Sequence, residues 1–353
     1  MHLIVQLCYI IHMIKPNKLH KGDKVAICSP SWGCAGAPRV KWKYLLGVKH
    51  LEELGLVVVP TPNALKGTKY LKEHPEKRAE DLMWAFANKE IKAVIAATGG
   101  NDSEKILPYL DKEVFINNPK IFCGYSDVLT IHVYLHELGL VTYYGDNLLT
   151  SIAEVEGWNS YAKKWFIKTF FEDQPIGLIE PSKTYSYSRK YLTDKSYKMT
   201  YVPNEGVVVV QGKGQVQGKL FGGHFSLMDY QNNKYLRIEQ SQFKDKIFFL
   251  EDIPYFFTIE GVKKFLSWMG DNRYLQVLKG MIIGKVHVDE PIEKYIEAIK
   301  EVTSKYQVSD LPIMYGFNFG HTSPIFILPY EVEAKLDVDR KEFSILESGV
   351  SHD

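Results

Sequence analysis

Ser126 has the clearest means of doing chemistry. It lies in Ile121-Phe-Cys-Gly-Tyr-Ser-Asp127, where Gly124 and Ser126 bracket Tyr125 in a G-x-S turn. The apolar residues before the turn predict a short buried strand. Val128, Ile131, Leu135 and Leu138, spaced by three and four and stopped by Gly139, predict an amphipathic helix behind it. A serine at such a corner has its hydroxyl lifted out of the sheet, and the first N–H groups of the helix point at whatever it attacks. The plain alternative is that Ser126 only caps the helix.

A serine nucleophile needs a base within hydrogen-bond reach and an acid to orient that base. Among 11 histidines, His321 stands out because Gly320-His321-Thr322 closes a Gly-rich loop just after an apolar run. Glu251 ends the apolar run Ile247-Phe-Phe-Leu250. It is either a salt-bridge partner or a site carboxylate. His132 and His136 are four apart on the helix behind Ser126, a spacing that can put two metal ligands on one face. The H-E-x-x-H pattern of metallohydrolase helices is not there, so they read as partly buried polar residues. Cys123 precedes Gly124 and should lie inside the strand, which ranks it below Ser126.

These residues must be held by ordered elements, and the chain is long enough to build them. Its 353 residues allow two domains of ordinary size. Hydrophobic content of 45% and charged content of 24% are those of a globular protein. A net charge of +1 gives no basic excess for nucleic acid. The four cysteines form no C-x-x-C pair, which argues against a disulfide framework or zinc ribbon. Met1 to Ile14 is mostly apolar but has no basic n-region and is too short to span a bilayer. Met13 is therefore expected to be the natural start.

Short apolar runs at Val25–Ser29, Leu56–Val59, Ala93–Ala97, Ile121–Cys123 and Leu140–Tyr144 alternate with amphipathic stretches. The pattern predicts a doubly wound parallel sheet, with any site at the carboxyl ends of its strands. Thr98-Gly99-Gly100-Asn101 and the Ser126 turn both fall at such ends, and Asn101 is taken as a substrate-binding candidate. Asn63 to His74 reads as polar loop. After Gly206 the texture becomes strand-rich and Gly-punctuated, and residues 325–346 alternate like antiparallel strands. The expected fold class is α/β, with an N-terminal α/β domain over 13–172, a connecting segment over 173–205 and a smaller strand-rich C-terminal domain over 206–353.

Three motifs carry a family likeness. Gly124-Tyr-Ser-Asp127, Phe249-Leu-Glu-Asp252 and Gly320-His-Thr322, with the opening Met13-Ile-Lys-Pro…Gly22-Asp-Lys-Val-Ala-Ile…Ser29-Pro30, resemble the signatures of the LD-carboxypeptidase family of serine peptidases. The likeness runs from Met13 to about Leu346. It implies a Ser-His-Glu triad of Ser126, His321 and Glu251, and an oxyanion hole on backbone N–H groups of Asp127 and the Gly99-Gly100 turn. It also implies a flavodoxin-like N-terminal domain, no metal or other cofactor, and a cytoplasmic homodimer. Murein-recycling members usually carry Arg-Gly-Gly where this chain has Thr98-Gly99-Gly100, and they lack its excursion over 183–205. The microcin C self-immunity branch is more similar at both places, although its excursion tends to carry tryptophans where this chain has tyrosines.

The expected function is hydrolysis of a C-terminal amide-type bond in a murein-like peptide or an aminoacyl-nucleotide, with neither nucleic acid nor membrane as partner. The alternatives are a non-catalytic two-domain binding protein and a metal-dependent hydrolase using His132 and His136. The base must be neutral to act, so activity should fall on the acid side, with a midpoint of about 6 to 7. The excursion over 182–201 is polar and rich in lysine and tyrosine. It is expected to be a lid over the cleft, with one of Tyr185, Tyr187 or Tyr191 stacking on the leaving group.

Overall fold

Alternate residues of the first strand serve two different apolar layers. The computed structural model describes residues 13–187, 192–228, 238–288 and 290–352. In β1 (Lys24–Cys28), Val25 and Ile27 face one core, and Ala26 and Cys28 face the other. That is the signature of a strand covered on both faces. β2 (Val57–Pro60), β3 (Ile91–Ala96), β4 (Ile121–Gly124) and β5 (Tyr143–Tyr144) complete a parallel set in the order β5-β4-β3-β1-β2. The helix Lys41–Glu52 packs on one side and Pro75–Ala87 on the other. The helix Leu129–Glu137 is buried on both sides. Val128, Ile131 and Leu135 enter the second core, while Leu129 and Val133 enter the core shared with the C-terminal half.

The segment over 173–205 supplies β6 (Gly177–Leu178), β7 (Thr184–Tyr185) and β8 (Val202–Pro203). β7 and β8 pair as a short antiparallel ribbon. Next come β9 (Val208–Gln211), β10 (Gln215–His224), β11 (Lys246–Glu251), β12 (Gly280–Gly284) and β13 (Ile313–Phe317), then β14 (Leu328–Pro329), β15 (Glu333–Asp337) and β16 (Glu342–Ile345). An eight-stranded sheet runs β6-β16-β15-β10-β11-β12-β13-β9. Its centre, β10 to β13, is parallel, with the helices Ile259–Asp271 and Ile292–Lys305 in the connections. Parallel strands put their carboxyl ends on one edge, so His224, Glu251 and the loop after β13 come together there.

Two details depart from the sequence reading. The stretch expected as loop over 63–74 contains a helix, Thr68–Glu73, opened by Gly67 at φ 90°. The first strand of the tail, β14, leaves its neighbours and pairs antiparallel with β5, at the edge of the first sheet. The two halves share one continuous core, in which the Tyr144 and Phe249 rings lie 5.5 Å apart. Residues 1–12, expected to precede the natural start at Met13, lie outside the described residues. Among the described residues no helix is long and apolar enough to cross a membrane.

Candidate active site

Ser126 stands where β4 turns into a helix. Tyr125 is still extended, and Ser126 then takes φ 69°, a left-handed conformation that side-chain-bearing residues seldom adopt. A tight turn over Ser126–Val128 leads into Leu129–Glu137. A strained strand-to-helix corner of this kind can hold a side-chain hydroxyl out for attack. The Thr98–Asn101 loop presses against it. A Cβ on Gly99 would lie 2.8 Å from Ser126 Cβ, 2.9 Å from its Oγ and 3.3 Å from the Asp127 nitrogen, so only glycine fits.

Asp127 fixes this junction. Its Oδ2 accepts the Ser31 hydroxyl and the N–H groups of Asp102 (3.0 Å) and Ser103 (2.8 Å), and its carbonyl accepts Ser103 Oγ–H at 2.6 Å. One buried carboxylate thus ties the loops after β1 and β3 to the Ser126 turn. Asp102 is held in turn by the fully buried Arg78, at 2.9 Å.

His321 comes from the loop after β13. Its Nε2 lies 3.0 Å from Ser126 Oγ, and its Nδ1 lies 2.7 Å from Glu251 Oε2. A carboxylate can only accept, so Nδ1 carries the hydrogen and Nε2 is left to take the serine proton. Gly320, at φ 87°, makes the approach possible, because a Cβ there would collide with Glu251 Oε2. Glu251 is completely buried at the end of β11. Its Oε1 accepts the Tyr144 hydroxyl, which itself accepts the Ser126 N–H at 3.2 Å.

Burial by itself would push the Glu251 carboxyl upward. The His321 and His224 imidazoles and the hydrogen bonds from His321 and Tyr144 outweigh it and hold the group down at about 2. Burial by itself would lower His321, but the Glu251 charge and hydrogen bond, with Asp252 nearby, raise it above its ordinary value. His321 therefore binds a proton more readily than a free imidazole, while Glu251 stays ionised beside it.

A cavity of about 390 Å³ opens beside Tyr125 and His321. Lys43, Thr150, Ser151 and Glu154 line it from the first half, Ile253 and Tyr255 from the loop after β11, and Ser186, Tyr187, Tyr197 and Met199 from the excursion. The excursion is stitched down by the Ser186 N–H to Ser323 O at 2.7 Å and by Tyr201 Oη–H to Glu154 Oε2 at 2.8 Å. Of the three tyrosines singled out for stacking, Tyr187 reaches the cavity and stacks on His287, with the rings 5.7 Å apart and 14° from parallel. Tyr185 sits under the Lys285 ammonium, 4.8 Å away, and does not line the cavity. Tyr191 lies outside the described residues. Asn101 lines a separate hollow of about 160 Å³ with Ser31, Trp32 and Lys72.

His132 and His136 do not converge. His132 is buried between Thr142 Oγ1 and Gly124 O, each at 2.9 Å, and burial lowers it to about 3. His136 Nε2 instead meets Glu331 at 2.9 Å. Four residues at the site were not assigned to it by the sequence reading: Tyr144, His224, Asp252 and Tyr197. For His224 a signal was present, since it ends a strand after Gly222-Gly223, as Glu251 ends its own.

The LD-carboxypeptidase N-terminal domain matches residues 25–145, and the LD-carboxypeptidase C-terminal domain matches residues 217–336. The chain belongs to the LD-carboxypeptidase family. It is 30% identical over 319 residues to the putative carboxypeptidase YocD of Bacillus subtilis, covering 89% of this chain and 93% of that one. It is 26% identical over 352 residues to the microcin C7 self-immunity protein MccF of Escherichia coli, covering 96% and 98%. A crystal structure of an MccF-like protein from Streptococcus pneumoniae in complex with AMP superposes with a TM-score of 0.81 at 30% identity, covering 92% of this chain and 98% of that one. As a family member this chain is a serine-type carboxypeptidase, with the parallel-rich N-terminal and strand-rich C-terminal domains expected from its motifs.

Proposed function

We propose that this LD-carboxypeptidase uses Ser126, His321 and Glu251 as a catalytic triad, and that it hydrolyses a C-terminal amide-type bond through an acyl-enzyme. The observation that carries the reading is the unbroken chain from Ser126 Oγ through His321 to Glu251, at 3.0 and 2.7 Å, assembled from loops of both sheets. Ser126 Oγ attacks the substrate carbonyl carbon while His321 Nε2 takes its proton. The developing oxyanion faces the backbone N–H groups of Asp127 and of the Gly99-Gly100 turn. Collapse breaks the C–N bond, and the leaving amine takes the proton from His321. Water, deprotonated by the same imidazole, then frees the acyl group and restores Ser126.

Between a murein-like peptide and an aminoacyl-nucleotide, the second is favoured. Tyr187 and Tyr197 offer flat faces at the cavity, and Lys43 places a cation in its wall. The AMP complex of the pneumococcal relative supports the same direction. The reading also takes the protein as a cytoplasmic homodimer, which sedimentation and cell fractionation test. The deciding experiment is hydrolysis of a murein tetrapeptide and an aminoacyl-sulfamoyl-adenosine side by side. A larger kcat/KM for the nucleotide substrate is expected, and a clear preference for the tetrapeptide would reverse the assignment.

A further inference from the structure

We propose that His224, Glu251 and His321 form a binding site for a borderline-soft divalent ion such as Zn²⁺, laid over the acid–base pair, and that the bound ion holds the enzyme inactive. The binding claim stands on geometry alone. The inhibition claim rests on the triad reading given above.

One ligand atom from each of the three side chains lies within 4.8 Å of the others. Zinc holds nitrogen and carboxylate oxygen at roughly 2.0 to 2.2 Å, so shifts of under about 1 Å bring the three donors onto one ion. Two imidazoles and a carboxylate are a donor set that suits Zn²⁺, with water in a fourth position.

His224 points to such a ligand independently. Its Nε2 lies 2.7 Å from Asp252 Oδ1, so Nε2 carries the hydrogen in the neutral ring. Its Nδ1 is then a bare lone pair. That atom is buried without a hydrogen-bond partner, on a side chain only 7% exposed, and it lies 3.8 Å from Glu251 Oε1. A bare nitrogen beside a carboxylate is unfavourable unless it binds a cation, either a proton or a metal ion. A histidine whose far nitrogen is fixed by a carboxylate is also the arrangement that orients metal-ligating imidazoles. The His224 and His321 rings meet edge to face, with centroids 5.1 Å apart and planes at 88°. Beside the cavity, the 17% exposed side chain of His321 gives an ion its way in.

Binding is an exchange. The ion takes the Nδ1 lone pair of His321, and the one hydrogen of the neutral ring moves from Nδ1 to Nε2. Glu251 then faces the metal instead of the Nδ1–H, and Nε2, now carrying the hydrogen, cannot take the Ser126 proton.

The test uses the full chain, freed of metal by chelator, with Co²⁺ as a spectroscopic probe and Zn²⁺ as inhibitor. Wild type and Ser126→Ala should both bind one equivalent of Co²⁺ with the intense visible bands of a tetrahedral-like site, and Zn²⁺ should inhibit wild-type hydrolysis. His224→Asn should weaken both metals by at least about tenfold, and Asp252→Asn by roughly 10- to 100-fold. His352→Asn, an exposed histidine held by Asp173, should change neither. Co²⁺ bands that fail to form, or that persist at wild-type affinity in His224→Asn, would overturn the site. Should His224→Asn fail to fold, Asp252→Asn carries the same test, and unchanged affinity there overturns it equally. The Ser126→Ala arm keeps the two claims apart: loss of the triad reading would show as turnover in that variant, with its Co²⁺ spectrum unaffected.

Discussion

The hydroxyl of Tyr144, at the end of β5 in the first sheet, donates to Glu251 Oε1 at the end of β11 in the second. The Tyr144 hydroxyl oxygen also accepts the N–H of Ser126 at 3.2 Å, so one phenol spans the backbone of Ser126 and the acid of the proposed triad. Burial, the neighbouring Glu251 charge and its hydrogen bond keep this phenol protonated and therefore a donor.

Tyr144→Phe should cost about 1.5–3 kcal/mol of transition-state stabilisation, the magnitude of a hydrogen bond to a charged group, or roughly 10- to 150-fold in kcat/KM. Because Tyr144 acts through Glu251, the variant should also shift the pH profile while keeping its fold by circular dichroism. Unchanged kinetics would make the contact a packing detail.

The pH dependence has a worked sign. His321 is raised above its ordinary value chiefly by Glu251, against the effect of burial. A general base acts when neutral, so activity should fall as pH drops through a midpoint above about 6.5. In Glu251→Gln the raising charge is gone, and the midpoint of the residual activity should move to lower pH. Single-turnover rates across pH 5 to 9 check both statements.

Much of this centre was legible because its parts are local. The G-x-S corner, the apolar strand before it and the stripe behind it lie within Ile121 to Gly139, and each part shows in residue type and spacing. Tyr144 was not legible. It is one of 22 tyrosines, and its value comes from a partner 107 positions away that only the docking of the two sheets supplies. β14 failed for a similar reason, since alternation marks a strand without naming its neighbour. The helix Thr68–Glu73 was hidden by its polar composition. Tyr185 and Tyr187 could not be told apart by type, but only Tyr187 has its ring at the cavity.

That difference is testable. Tyr187→Ala should weaken binding of an aminoacyl-sulfamoyl-adenosine by about 1–3 kcal/mol, the range for a base stacked on an aromatic ring. Ser126 should stay reactive toward a small fluorophosphonate in that variant. Tyr185→Ala should leave nucleotide affinity near wild type. Titration calorimetry on both variants decides whether the excursion recognises the leaving group or only connects the two halves.

Gly99→Ala probes the packing against Ser126. The added Cβ would fall 2.8 Å from Ser126 Cβ, so the serine or the loop must move. A displacement near 1 Å costs on the order of 100-fold in rate. Thermal melting should change far less than kcat, and a fully active variant would show that this loop is not held as described.

The central claim is that Ser126 forms the acyl-enzyme. Its most direct test is turnover of an aminoacyl-sulfamoyl-adenosine by Ser126→Ala, paired with intact-mass analysis after fluorophosphonate treatment. The expected result is a loss of several orders of magnitude in kcat, as when a triad serine is removed elsewhere, with covalent capture in wild type and none in the variant. Near-wild-type turnover by Ser126→Ala would contradict the account.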